Sequence, residues 1–434
     1  MCDNNHRFRR FHKLAALKTG AANFSFSQFL IFSFSHFLIL SFSQFLILSF
    51  SLFLILPAAA QRKQIGQARD ILKKRNNPAE AEKIATTLLR DSANRQNKRI
   101  YDIWYEAVLQ QYLAVNEKLY MKQRQDTAQF FDLTRRLFTV AETLDSLDMQ
   151  PDHKGKVDLE YRRHNAQQLM AYRPNLFFGG TYHVRKGDYN KAIDFCEAYI
   201  DCARQPLFTG YGLDTADQRR SEAAYWVTYS AYRLKDPVRT LRHRHLALRD
   251  TARAASTLQY MAEARQWLND DSLYLETLRE GFHRYPLNSW FFPRLFDFYN
   301  TRRRYDEALA AADSALAVND SSLLFIFAKS SALFNLQRYD ECIDLSDLLI
   351  EMNDSMPDPY YQAGVAYMNK ALRLYPLRDK KQLRATYQLA RPYMERYREL
   401  APDQKQKWGP ALYRIYLNLN LGRQFDEIDH LLKN

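Results

Sequence analysis

Residues that interrupt helices are scarce, with only 12 glycines and 14 prolines among 434 residues. A chain built from many tight turns would need more of both, so the shortage points to long runs of helix. Signatures of chemistry are missing as well. There is no HExxH, CxxC, GxSxG, GxGxxG or Walker A spacing, which removes the usual starting points for metal, redox, acyl-transfer and phosphate chemistry. Gly179-Gly180 falls within a helical pattern, where glycine permits close packing, and no phosphate-loop spacing follows it. The ten histidines are scattered apart from His243 and His245, and Asn269-Asp270-Asp271 fits a helix cap better than a cation contact. No catalytic residue, metal or cofactor is expected.

Cysteine is nearly absent too. Beyond the first 60 residues it occurs only at Cys196, Cys202 and Cys342. Cys196 and Cys202 sit six residues apart on or near one helix, roughly 9 Å along its axis, too far for a bridge unless the helix ends between them. No disulfide framework is implied, and Cys196 and Cys342 read as small buried hydrophobes.

Aromatic side chains, by contrast, make up 14% of the chain, with 28 Tyr and 28 Phe. Such bulk suits packing between helices. The 62 Lys and Arg outweigh 49 Asp and Glu, giving a formal +13. A basic surface attracts nucleic acid, anionic lipid or an acidic protein, and charge alone does not choose among them.

Residues 24–56 form one uncharged apolar run that writes an SFSQFLIL-like octapeptide four times, starting at Ser25, Ser33, Ser41 and Ser49. Basic residues precede the run, and Pro57-Ala58-Ala59-Ala60-Gln61 follows it, which fits signal-peptidase cleavage after Ala60. Signal-peptide cores usually span about 7–15 residues, so an uncleaved membrane anchor is an open alternative, as is a start codon inside the repeat. Either way Gln61 onward is expected outside the cytoplasm, in the periplasm or cell envelope. Export makes nucleic acid the least fitting partner. No cysteine follows the run to carry a lipoprotein anchor.

Residues 61–170 read as irregular helical hairpins: 65–74 and 79–89 around Asn76-Asn77-Pro78, then 98–120 and 126–147. From 171 to 434 a pattern recurs every 34 residues. Arg304-Tyr305-Asp306-Glu307-Ala308 returns as Arg338-Tyr339-Asp340-Glu341-Cys342. The same step links Ala262, Phe296, Ser330 and Gly364, and also Ala247, Gly281 and Ala315. These columns want small residues where paired helices cross closely. The pairs are expected over about 174–202, 222–250, 256–286, 290–319 and 324–353, with a fifth from 358 whose second helix is displaced to about 383–400. Insertions fall near 205–218 and 371–382, and a capping pair covers 408–421 and 425–432.

This period of paired helices resembles the tetratricopeptide-repeat (TPR) family. The resemblance implies an all-α, right-handed solenoid of stacked helical hairpins behind an apolar N-terminal leader. It also implies a concave face lined by the first helix of each pair. Carried over column by column, that face presents Phe177, Tyr225, Tyr229, Tyr232, Trp290, Phe327, Phe334 and Tyr361, mixed with Gln259, Glu263, Asp297, Ser331 and Asp358. The Lys and Asn positions with which some relatives grip a C-terminal carboxylate hold Phe, Tyr, Trp and Gln here, so chaperone-tail binding is not implied. The expected function is a non-catalytic binding or scaffold role toward a protein or peptide of the envelope; glycan binding in polysaccharide uptake is the alternative. The basic stretch Arg239 to Arg253 is expected on a second helix and after it, with most of its side chains facing solvent on the convex side.

Overall fold

The computed structural model describes residues 61–151, 154–215 and 217–433. The octapeptide run, its cleavage site and the rest of residues 1–60 lie outside them. All regular structure among the described residues is helical, and none of these helices is long and apolar enough to cross a membrane.

Two compact units divide the chain at Lys122 and Gln123. In the first, α1 (61–74), α2 (Pro78–Leu88) and α3 (Lys98–Tyr120) enclose a small core. Asn77 caps α2 by accepting from the Glu80 amide, while Pro78 takes the first helical position, where its missing N–H costs nothing. Ala68, Leu72, Ala81, Ala85, Ile100 and Ala107 pack together, and Gln110 Nε2 donates to the Leu72 carbonyl at 3.2 Å.

The second unit begins with α4 (Thr127–Asp148) and α5 (Arg162–Tyr172). Pairs then follow: α6 (Pro174–Lys186) with α7 (Tyr189–Asp201), and α8 (Arg219–Arg233) with the short α9 (Pro237–Arg242) and α10 (Arg244–Ala247). Next come α11 (Ala254–Trp267) with α12 (Asp271–Arg284), α13 (Phe291–Thr301) with α14 (Tyr305–Leu316), and α15 (Leu323–Asn335) with α16 (Tyr339–Met352). The last two are α17 (Pro357–Leu372) with α18 (Lys380–Leu400), and α19 (Lys405–Leu419) with α20 (Gly422–Lys433). From α6 onward each hairpin packs on the one before it and the one after it. The expected pairs are present, including the displaced second helix at α18.

The repeat is written in the backbone as well as in the side chains. Lys235, Asn269, Arg303 and Gln337, each 34 residues from the next, all adopt left-handed φ between 56 and 62°. Gly187 does the same at 74° one hairpin earlier. In every case the amide of the following residue reaches back to the fifth residue before it, as in Asp236 to the Ala231 carbonyl at 3.0 Å and Arg304 to Tyr299 at 2.9 Å. That bond ends the first helix and aims the chain into the second. Asp188, Asp236 and Asp270 then cap the helices that start there. In the RYDE motif the arginine bonds the glutamate three residues on, Arg304 to Glu307 at 2.9 Å and Arg338 to Glu341 at 2.6 Å. The next residue, Ala308 or Cys342, is fully buried.

Close crossings explain the small-residue columns. A Cβ on Gly281 would lie 2.2 Å from the Phe291 ring, and one on Gly364 would lie 2.5 Å from Met394 Sδ. Ser330 Oγ donates to the Cys342 carbonyl at 3.1 Å across its own crossing. Phe296 breaks the column, and its hairpin makes room on the other side, where Ala308, Ala311, Ala312 and Ala315 share its core cluster.

The insertion near 205–218 is tied down rather than loose. Leu207, Phe208 and Leu213 are buried, and Arg173 pairs with Asp217 at 2.7 Å while donating to the Tyr199 carbonyl.

The basic stretch departs from expectation. Its second helix is broken, because α9 ends at Arg242 and the chain bends at His243 before α10. Much of its charge is satisfied internally. Arg242 and His243 reach Glu197 at 2.6 and 3.5 Å, and Arg253 bridges Glu222 and Asp250 at 2.9 and 2.8 Å. Burial raises the Glu197 pKa, but these two partners outweigh it and hold the carboxyl below its ordinary value. Cys196, Cys202 and Cys342 are free and buried, as small hydrophobes would be.

Candidate binding surface

Tyr225, Tyr229 and Tyr232 stand at i, i+4 and i+7 on α8, which puts them on one stripe of the helix. On α11, one repeat later, Tyr260, Glu263 and Trp267 form the matching stripe. The two stripes meet. Tyr232 stacks on Tyr260 with centroids 4.5 Å apart, and on Trp267 at 5.4 Å with only 14° between the planes. Tyr260 also touches Tyr225 at 6.3 Å and Tyr229 at 5.8 Å. Trp226 and Tyr189 extend the group edge-on to Tyr229, at 5.9 and 6.1 Å.

Polar groups hold these rings in place. Tyr232 Oη donates to Glu263 Oε2 at 2.9 Å, and Arg233 donates to Tyr229 Oη at 2.7 Å while lying 5.0 Å over the Tyr189 ring. Trp226 Nε1 donates to Glu222 at 3.3 Å, and Arg253 lies over both Tyr225 and Trp226. Burial, followed by the Glu263 bond, raises the Tyr232 pKa above the ordinary phenol range; burial and the neighbouring Tyr225 do the same for Tyr260. Both phenols therefore stay neutral donors at any physiological pH. The surface offers flat π-faces with fixed hydroxyls and no activated nucleophile.

The structure brings together three of the eight sequence-predicted aromatics. Tyr225 is buried and forms the floor of the cluster, with Tyr229 and Tyr232 half-buried above it. Phe177 is buried against Tyr199, at 5.7 Å. The other four belong to three later hairpins, Phe327 and Phe334 sharing α15. Trp290 lies under Arg294 at 4.1 Å, Phe334 meets Tyr339 edge-on at 5.8 Å, and Tyr361 packs on Tyr397 at 5.0 Å. Phe327 is half-buried on α15.

Tyr260 and Trp267 were not among the predicted residues, because the 34-residue step from Tyr225, Tyr229 and Tyr232 leads to Gln259, Glu263 and Gln266. Tyr260 stands one period after Trp226, and Trp267 one period after Arg233. Trp267 is the most open ring of the group, at 36% exposure. Among the described residues no group of three or more His, Cys, Asp or Glu is placed to hold a metal ion.

No family model matches the chain, and no curated protein does. Solved structures similar to it include TPR proteins. The C-terminal part of a TPR repeat-containing protein from Cytophaga hutchinsonii is 11% identical, with a TM-score of 0.40 over 58% of this chain and 92% of that one. MamA from Desulfovibrio magneticus RS-1 is 13% identical, with a TM-score of 0.32 over 42% and 96%. The TPR2AB domain of yeast Sti1, solved in complex with pHSP90, is 16% identical, with a TM-score of 0.25 over 71% and 97%. Likeness at this level leaves the argument to the chain's own residues. Its hairpins, their 34-residue step in sequence and in backbone φ, and the small residues at their crossings give it the tetratricopeptide-type fold.

Proposed function

We propose that the chain is an exported, non-catalytic scaffold of a bacterial cell envelope that docks a peptide or protein segment on the surface made by its first helices. The observation that carries this reading is the ring cluster of Tyr229, Tyr232, Tyr260 and Trp267, braced by Glu263 and Arg233. Rings already stacked against one another lose little freedom when a partner covers them, which is how a preorganised surface gains affinity. Aromatic side chains with a polar handle are also the residues that most often anchor partners. The leader supports export, with membrane contact through that segment if it stays uncleaved.

A sugar is the second reading, favoured by the open face of Trp267 beside the Glu263 carboxylate. Pull-down from envelope extract with the wild type and with Trp267→Ala tests both. A protein recovered in stoichiometric amount by the wild type and lost by the variant supports the scaffold; recovery of glycan alone favours the second reading. Equal capture by both proteins would remove the cluster from either role. Fractionating cells and sequencing the mature N-terminus tests export.

A further inference from the structure

The loop joining α17 to α18 carries Leu377, the most exposed large apolar side chain among the described residues of the second unit, with Tyr375 beside it and Leu372 at the end of α17. Leu377 is 99% exposed, Tyr375 64% and Leu372 60%. Three apolar side chains this close together in the chain and this open to water offer an apolar point of contact. The loop is also rigidly built. The Asp379 amide donates to the Tyr375 carbonyl at 2.8 Å, and the Tyr375 amide returns the bond to Asp379 Oδ2 at 3.0 Å. Arg378 closes the turn, gripping both Asp379 oxygens at 2.9 and 3.0 Å while lying 4.6 Å over the Tyr375 ring. Tyr375 and Leu377 are thus held outward by a closed turn.

The charge around that tip is one-sided. Residues 370–384 contain six Lys or Arg and a single acid, Asp379, which Arg378 neutralises. Lys370 is engaged by Asp340, and Arg373 by Gln337 and the Tyr339 ring. Lys380, Lys381 and Arg384, on the first two turns of α18, make no ion pair among the described residues and are exposed. An acidic protein would satisfy those cations only by also presenting an apolar patch placed opposite Leu377. A bilayer of anionic lipid supplies both, with headgroup charge for the lysines and an interfacial region that accepts a tyrosine and a leucine.

We propose that the α17–α18 loop docks the protein on an anionic lipid surface, Tyr375 and Leu377 entering the interface while Lys380, Lys381 and Arg384 contact headgroups. The contact is separate from the leader and from the aromatic cluster, so it orients the second unit on a membrane independently of any partner.

The test is amide hydrogen exchange on the full chain, reconstituted with vesicles containing phosphatidylserine or with vesicles of phosphatidylcholine alone. The leader meets both kinds of vesicle and its own basic residues favour the anionic ones, so the protection is read at the loop itself and checked with the loop variants. Residues 372–384 are expected to become protected only on the anionic vesicles, and the protection to fade as salt rises from 0.1 to 0.5 M, the range over which screening shortens. Lys380→Gln, Lys381→Gln and Arg384→Gln together should weaken the contact on the order of a hundredfold, at roughly fivefold per charge. Leu377→Ser should weaken it as well. No protection on anionic vesicles, or equal protection on both, would overturn the proposal. So would charge-dependent binding that Leu377→Ser leaves intact and that soluble poly-glutamate matches, since that outcome means an acidic protein surface. Circular dichroism of each variant, all substituted at exposed positions, should be unchanged.

Discussion

Tyr232 on α8 and Tyr260 on α11 stack with centroids 4.5 Å apart and 29° between their planes, joining the first helices of two successive hairpins. The contact serves the fold and the proposed binding surface at once. An offset aromatic pair contributes about 0.5–1.5 kcal/mol beyond the area it buries. A double-mutant cycle with Tyr232→Ala and Tyr260→Ala, followed by urea unfolding, should therefore return a coupling energy near 1 kcal/mol. A coupling indistinguishable from zero would mean that the rings do not support each other.

Gly281 and Gly364 stand at close crossings, but what faces them differs. Both neighbours are wholly buried, but a methyl group on Gly281 meets the stiff ring of Phe291, whereas one on Gly364 meets the flexible thioether of Met394. Gly281→Ala is expected to destabilise by about 2 kcal/mol, within the range for overpacked cores. Gly364→Ala should cost less, because Met394 can change rotamer and alanine favours the helix. Thermal melts of the two variants give the order, and the reverse order would contradict the packing described.

Arg303 holds φ at 58° in the turn before α14, where Gly187 serves the equivalent turn. A left-handed conformation costs an L-residue about 1–2 kcal/mol, and glycine recovers part of that while adding freedom to the unfolded chain. Arg303→Gly should raise stability by about 0.5–1 kcal/mol. Arg303→Ala, which keeps the Cβ, should bring no such gain in the denaturation midpoint.

Glu142 on α4 has its pKa raised to about 7, chiefly by burial, with Asp201 adding to the shift and Arg135 opposing it. A carboxyl whose folded-state value lies above its unfolded value holds its proton more tightly when folded. Its contribution is complete below about pH 4.5 and is lost as pH rises toward 7. Glu142→Gln keeps the shape without the charge. The variant should therefore match the wild type near pH 4.5 and exceed it by about 1–2 kcal/mol at pH 8, since a shift of this size is worth up to about 3 kcal/mol before solvent screening. Denaturation midpoints measured at both pH values check this, and a gain of equal size at both would disprove the titration.

Much of the fold was legible in the chain because a repeat states the same local rule several times. The recurrence of Arg-Tyr-Asp-Glu, the small-residue columns and the turn residues placed the hairpins from α6 to α20 close to where they stand. Local rules did not reveal the bend at His243, since the helical pattern runs through it and only the pull of Glu197 on Arg242 and His243 accompanies the break.

The amino-acid order by itself determined the helical class, the 34-residue spacing, the displaced second helix at α18 and the burial of Cys196 and Cys342, because each depends on short-range periodicity or on the size of a side chain. It also placed three tyrosines on one stripe of α8. Only the tertiary structure decided that Tyr260 and Trp267 would complete that stripe, that Phe177 would lie in the core, and that Arg173 and Asp217 would pair to secure the inserted loop. The reason is physical: spacing along a helix says which side chains share a face, whereas which faces meet is settled by how neighbouring hairpins pack.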